Sequence, residues 1–311
     1  QARPGRHDPA ELVKGKGARV IGFLRAGRRR ARGNTAGLFF AHVQSERIGA
    51  HYRRLIAESG HLVDWKFAFN PDNRATPTVD FPYPSPQSVM PERFQAMVRN
   101  GGVQNGLMDM AIIPCVLALG ADFVWIVEYD VDFSGHWSRL FEQFAANDAD
   151  LLTTTIAAKA ETAHWYHWRH ARAPSTIGDA ATYRAFHPIM RISRRFAQAY
   201  SRLMADPAWQ GHYEFTLPTA AAAEGFVIED IGGSGPFARP PQRGRNYVNN
   251  AGDGFLAPGT FLWRPSRPRY FHETPGEFPQ ADKLYHPIKT GIADWEAPRP
   301  QPLTADGIAP G

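Results

Sequence analysis

Residues 123–128, FVWIVE, constrain this chain more than any other stretch. Up to Glu128 the run is apolar and β-branched or aromatic, the pattern of a strand buried on both faces of a sheet. A strand of this kind suits the centre of an α/β sheet with helices on both faces. The run ends in carboxylates. Asp130 and Asp132 flank Val131 just past its carboxyl end, where open α/β sheets place their ligands. Two hard oxygen donors at the mouth of a crevice suit a divalent cation that also holds a diphosphate.

Elements alternate on either side of this strand. Residues 18–24 predict a short buried strand, 39–59 a helix with Ile48, Tyr52, Leu55 and Ile56 on one face and Gly60 as its stop, and 61–69 a second strand. The proline-rich stretch 70–91 predicts an irregular connection. A glycine-rich turn at 99–106 opens a helix over 107–119, with Pro114 expected to kink or break it. Further helices are expected over 136–147, after Ser193, and over 217–224. Strands are expected over 150–156, 185–192, 225–231 and 259–265. The pattern predicts one domain over residues 17–295, with a flexible lead at 1–16 and an unfolded proline- and glycine-rich tail at 296–311.

Composition narrows the class. Hydrophobic residues make up 43% and charged residues 21%, the balance of a folded chain. The net charge of +5 suits phosphate-bearing ligands or an anionic membrane surface. Cys115 is the only cysteine, which excludes an intrachain disulfide and cysteine-rich zinc sites and points to a reducing cytoplasm, with the inner face of a membrane as one docking place. No apolar run has the roughly 18 residues of a transmembrane helix, and residues 1–10 lack the apolar core of a signal peptide.

Several residues stand out chemically. The arginine-rich loop 25–34, beginning at Arg25, reads either as a solvated surface loop or as positive charge over a pyrophosphate. Backbone amides at the turn holding Gln104 and Asn105 favour a phosphate or a nucleobase carbonyl. Trp165 and Trp168, in the run HWYHWRH at 164–170, offer rings on which a sugar can stack. The three histidines of that run have no zinc-ligand spacing. Glu214 stands at a helix start, where the dipole favours its anionic form and suits it as a base. Glu229 and Asp230, at a strand end, are candidates for binding the acceptor or for supplying the base instead.

Three short elements, DVD at 130–132, HYEFTLPT at 212–219 and KLYHPIK at 283–289, follow one another in an order that resembles glycosyltransferases of the GT-A fold. The resemblance lies in motif order rather than in identity. It implies a GT-A-like, Rossmann-like three-layer α/β/α domain with a mostly parallel central sheet. It also implies Mn²⁺ or Mg²⁺ and a nucleotide-sugar donor, a UDP- or GDP-sugar, whose sugar passes to a glycan or lipid-linked hydroxyl. In that reading Asp132 holds the metal directly, Asp130 touches the ribose or the metal through water, and His286 returns from the C-terminal part to complete the set. Lys289 meets a phosphate oxygen, and Gln104 and Asn105 sit in the nucleotide-binding turn. Glu214 takes the acceptor's proton, which inverts the anomeric centre. The alternative is a carbohydrate- or nucleotide-binding protein of the same fold without catalysis. A phosphoesterase is disfavoured by the single aspartate cluster, and nucleic-acid binding by arginines that gather in a loop rather than along a helix.

Overall fold

Strand β3 (Phe123–Glu128) occupies the expected residues. It pairs in parallel with β1 (Thr35–Ala41) and antiparallel with β6 (Tyr183–Ser193). The computed structural model of the protein describes residues 33–71, 76–103, 106–248, 259–261, 278 and 280–288. With β2 (Asp64–Phe69), β5 (Leu151–Ala158) and β7 (Ile228–Asp230) these strands form a six-stranded sheet in the order β2-β1-β3-β6-β5-β7. The sheet is mixed and mostly parallel, with β6 antiparallel to both neighbours.

Helices cover both faces, so alternate residues of each strand enter different cores. Ala36, Leu38 and Phe40 of β1 pack with helices α4 (Asp109–Leu119), α6 (Arg194–Leu203) and α7 (Tyr213–Ala223). Phe39 and Ala41 face the other way, onto α1 (Glu46–Ser59) and α5 (Trp137–Glu142). The chain is thus α/β, with an aromatic cluster of Trp65, Trp125, Trp137 and Phe141 filling the second core.

Several expectations change. The helix predicted over 39–59 begins only at Glu46, where the Ser45 side chain accepts a hydrogen bond from the Ile48 amide. Residues 35–41 are strand, because six of these seven are buried between the two cores. The proline-rich connection carries the short helix α2 (Pro86–Val89) and leads into α3 (Pro91–Arg99). Helix α4 continues through Pro114 and ends at Gly120, whose φ of 66° is the left-handed conformation that closes a helix. Helix α5 is shorter than expected, and α7 starts at Tyr213, four residues before the predicted 217. A second, two-stranded sheet joins β4 (Asp132–Phe133) to β8 (Leu284–Tyr285). Phe261 makes a single bridge to His286 where the late strand over 259–265 is expected. The predicted strand at 18–24, the lead at 1–16 and the tail at 296–311 lie outside the described residues. Among the described residues no helix is long and apolar enough to cross a membrane.

Asp150 secures one end of the sheet. Fully buried, it accepts hydrogen bonds from Ser193 Oγ at 2.7 Å, the Val227 amide at 3.1 Å and Arg195 through both oxygens at 2.5 Å. One carboxylate thereby joins the start of β5, the end of β6, the first turn of α6 and the approach to β7. Asp150→Ala removes the buried acceptor that these donors share and should cost about 3 kcal/mol, read as a lower urea midpoint at unchanged m. A loss under about 0.5 kcal/mol would show that water replaces the carboxylate.

Candidate metal and substrate site

The sheet switches direction of winding beside β3. From β1 the chain crosses through α1 on one face to reach β2; from β2 it crosses through α3 and α4 on the other face to reach β3. Beyond the carboxyl ends of β1 and β3 such a divergence leaves a crevice. Glu128, paired in register with Phe40, ends β3 there. The chain then turns through Tyr129 and Asp130, the Tyr129 amide donating to Phe40 O at 2.9 Å. Glu128, Asp130 and His286 each bring one ligand atom to this point, all within 4.8 Å of one another.

His286 reaches the crevice from far along the chain because β8 pairs with β4. Its amide donates to Thr260 O at 3.0 Å, and the Ile288 amide donates to Asp130 O at 2.7 Å. The rings of Phe186 and Phe261 lie 5.1 and 5.4 Å from its imidazole. His286 Nε2 stands 3.7 Å from Asp130 Oδ2, too far for a hydrogen bond. A cation about 2.1 Å from each can bridge that gap, and the half-buried Glu128 brings a carboxylate oxygen within 4.8 Å of both. Two carboxylates and an imidazole fit Mn²⁺ better than Mg²⁺, which favours an all-oxygen shell.

Asp132 is absent from this group, a correction to the D-x-D reading. Its side chain points at α1, where Arg54 Nη1 donates to it at 2.7 Å and His51 Nδ1 lies 3.7 Å away. Burial pulls His51 below its usual value against the opposing effect of Asp132, so Arg54 carries the countercharge. The same guanidinium donates to Phe133 O at 3.0 Å, Gly135 O at 2.7 Å and Glu58 at 2.9 Å. Asp132 therefore fixes the β4 turn to α1. The residue two before Asp130, not two after, shares its direction.

The opposite wall comes from α7. A cleft of about 230 Å³ is lined by Glu128, His286, His212, Tyr213 and Glu214 together with Val103, Gly106, Met108, Phe186 and Pro188. Glu214 lies in the first turn of α7, 3% exposed, rather than ahead of the helix. His212 is the cap: its Nδ1 accepts from the Glu214 amide at 3.2 Å, which leaves the proton of the neutral ring on Nε2. Burial, then the neighbouring His167, His187 and Arg93, pull His212 well below its usual value. Gly106, at φ 87°, lies so close that a β-carbon there would strike the His212 ring, and Gly106 O accepts from the Tyr213 amide at 2.7 Å. Burial, reinforced by Glu128 and Glu214, raises Tyr213 well above its usual value and keeps the phenol protonated among carboxylates.

Beneath this wall Arg93 bonds Asp109 and donates to Gly211 O at 3.1 Å, while Tyr200 Oη donates to Asp109 at 2.6 Å and meets Thr216 at 2.7 Å. This buried network ties α3, α4 and α6 to the start of α7 and so aims Glu214.

The remaining expected site residues fall elsewhere. Trp165, 3% exposed, is core and cannot stack on a sugar; Trp168 is half-buried, with its Nε1 donating to Thr162 O at 2.7 Å. Glu229 is held by Arg239 and by Asn147 Nδ2 at 2.6 Å. Asp230 accepts from the Gly232 and Gly233 amides at 2.8 and 2.7 Å and from Tyr247 Oη at 2.7 Å, bracing the loop after β7. None of these four lines the cleft. Arg25, Gln104, Asn105 and Lys289 lie outside the described residues. Sequence reasoning missed Glu128, read there as the last residue of a strand, although E-Y-D has the same spacing as D-V-D. It also missed His212, Tyr213 and the two positioning arginines. No protein-family model matches the chain, and no curated protein sequence matches it.

Two outcomes test this wall. His212→Ala should cost about 1 kcal/mol through the lost cap while His212→Asn, which restores an acceptor, should lose only a few tenths; equal losses in chemical denaturation would rule out the capping role. Behind the wall the buried His187 meets Thr153 Oγ1 at 2.7 Å, and burial pushes it down to about 3. Unfolded, it takes up a proton below about pH 6.5. Its contribution to stability is therefore complete above pH 6.5 and is lost progressively as pH falls toward 3, by up to about 1.4 kcal/mol per pH unit. His187→Asn should flatten the stability slope between pH 6.5 and 5 by roughly 1 kcal/mol per unit. An unchanged slope would mean that the folded chain protonates this ring.

Proposed function

We propose that the protein is a metal-dependent glycosyltransferase with a GT-A-like domain, moving a sugar from a nucleoside diphosphate to an acceptor hydroxyl. The observation that carries this reading is the convergence of Glu128, Asp130 and His286 at the switch point of the sheet, with Glu214 on the same cleft. Among the described residues the cleft lining includes no lysine or arginine. A diphosphate entering between carboxylates would be repelled unless a cation came with it, so the wall's own charge calls for a metal.

Glu128, Asp130 and His286 would hold Mn²⁺, which when bound neutralises the charge that gathers on a departing diphosphate. Glu214, aimed by Arg93 and the His212 cap, accepts the proton of the attacking hydroxyl. Its place in the first turn of α7 favours the carboxylate form. Tyr213 stays protonated beside these acids and donates a hydrogen bond that orients the acceptor. The deep apolar packing of β3 and α7 holds both walls at a fixed separation.

Thermal unfolding with UDP or GDP and Mn²⁺ tests the reading. A stabilisation that EDTA removes is expected. Glu128→Gln and Asp130→Asn should each abolish it. Glu214→Gln should keep it and lower turnover about 10²- to 10⁴-fold. Indifference to every nucleoside diphosphate would sink the transferase reading, and full activity in Glu214→Gln would reject the assigned base.

A further inference from the structure

Residues 159–182, between β5 and β6, are wound into three short 3₁₀ turns, Lys159–Thr162, Tyr166–His170 and Asp179–Ala181. They dock on the chain that enters α7. Arg172 and Gln210 exchange backbone hydrogen bonds at 2.9 and 3.0 Å. Gly211, at φ 114°, packs so closely on the backbone of His170 and Ala171 that a β-carbon would press on it at 3.0 Å. Trp165 anchors the excursion in the core, and its neighbour His167 packs 4.4 Å from the ring of His212, a cleft residue. The excursion is therefore a rim on the Glu214 side of the cleft.

Its charge is opposite to that of the cleft. The acids are spent locally: Glu161 accepts from the Ala158 amide at 2.9 Å, and Asp179 pairs with Lys159 at 2.7 Å. Arg169 and Arg172, both exposed, have no carboxylate partner among the described residues. The Arg169 guanidinium lies 3.6 Å over the Tyr166 ring, and its Nε donates to Tyr166 O at 3.2 Å. Tyr166 in turn packs 5.2 Å from His167. Stacking uses the face of the guanidinium and leaves its outer N–H groups for a ligand.

We infer that this rim recognises an oxyanion, a phosphate or a carboxylate, carried by the acceptor whose hydroxyl enters the cleft. An anion on the acceptor is repelled by the carboxylate floor and attracted to Arg169 and Arg172, so charge alone orients the molecule with its neutral hydroxyl inward. Arg169 in the turn Tyr166–His170 and Arg172 two residues past it, whose Nη1 is held by Arg169 O at 3.1 Å and Ala171 O at 2.8 Å, offer a small donor set that matches a single oxyanion rather than an extended polyanion. The inference rests on the transferase reading for the word acceptor, and on the rim's geometry for the binding itself.

NMR titration of the full chain without metal or nucleotide, using glucose, glucose 6-phosphate and glucuronate as probes, tests it. Both anionic sugars should bind at least about fivefold more tightly than glucose, and the stronger of the two identifies phosphate or carboxylate. The double variant Arg169→Gln, Arg172→Gln should lose that preference while keeping its melting temperature and its stabilisation by Mn²⁺ with UDP or GDP. Equal affinity for all three sugars, or a preference that survives in the double variant, would overturn the inference. Because the sugar titration omits metal and nucleotide, the rim and the transferase reading fail independently.

Discussion

Burial of β3 on all sides is the constraint from which the rest of the structure follows. Val124 to Val127 lie between β1 and β6 in the sheet plane and between two helical layers above and below. An unpaired carboxylate in that interior would cost several kcal/mol, so the first acid the strand can carry is the one at its end. Glu128 is that residue. The packing of a neutral strand thereby delivers a charged group to the point where β1 and β3 part company, and the turn that follows sets Asp130 beside it.

Two arginines turn this position into a cleft with defined walls. Arg54 ties α1 to the β4 turn, and β4 recruits β8, which leads directly into His286. Arg93, through Asp109 and Gly211, fixes the entry to α7 and so the direction of Glu214. The Arg93–Asp109 pair is shut off from water, and the Arg54–Asp132 pair is partly so. Such pairs contribute modestly to net stability, because desolvation offsets attraction, but their multiple donors admit only one geometry. A site assembled from residues nearly 160 positions apart, Glu128 and His286, needs that restriction.

Legibility in the sequence followed the range of the forces involved. The limits of β3 and the Ser193 cap of α6 are local patterns, and both stand where the residues place them. The helix expected over 39–59 ran on into β1 because the apolar residues Phe39, Phe40, Ala41 and Val43 lead up to Ser45 with no glycine or proline to mark a boundary. The acid pair at 130 and 132 looked symmetrical along the chain. In space one member faces the crevice and the other faces Arg54, since the turn at Tyr129 and Asp130 hands Asp132 to a different sheet. Trp165, Glu229 and Asp230 have the composition of a binding surface, yet each is consumed by packing or by hydrogen bonds to the loops around it.

Hydrophobic periodicity and capping residues by themselves determined an α/β chain with a doubly buried central strand and acids at its carboxyl end, because burial and backbone hydrogen bonding act over a few residues. Which acids share a cavity was decided only by tertiary structure. The pairing of β8 with β4, the grip of Arg54 on Asp132 and the anchoring of α7 by Arg93 all join segments distant in the chain, and electrostatic partnership depends on separation in space rather than on order in sequence.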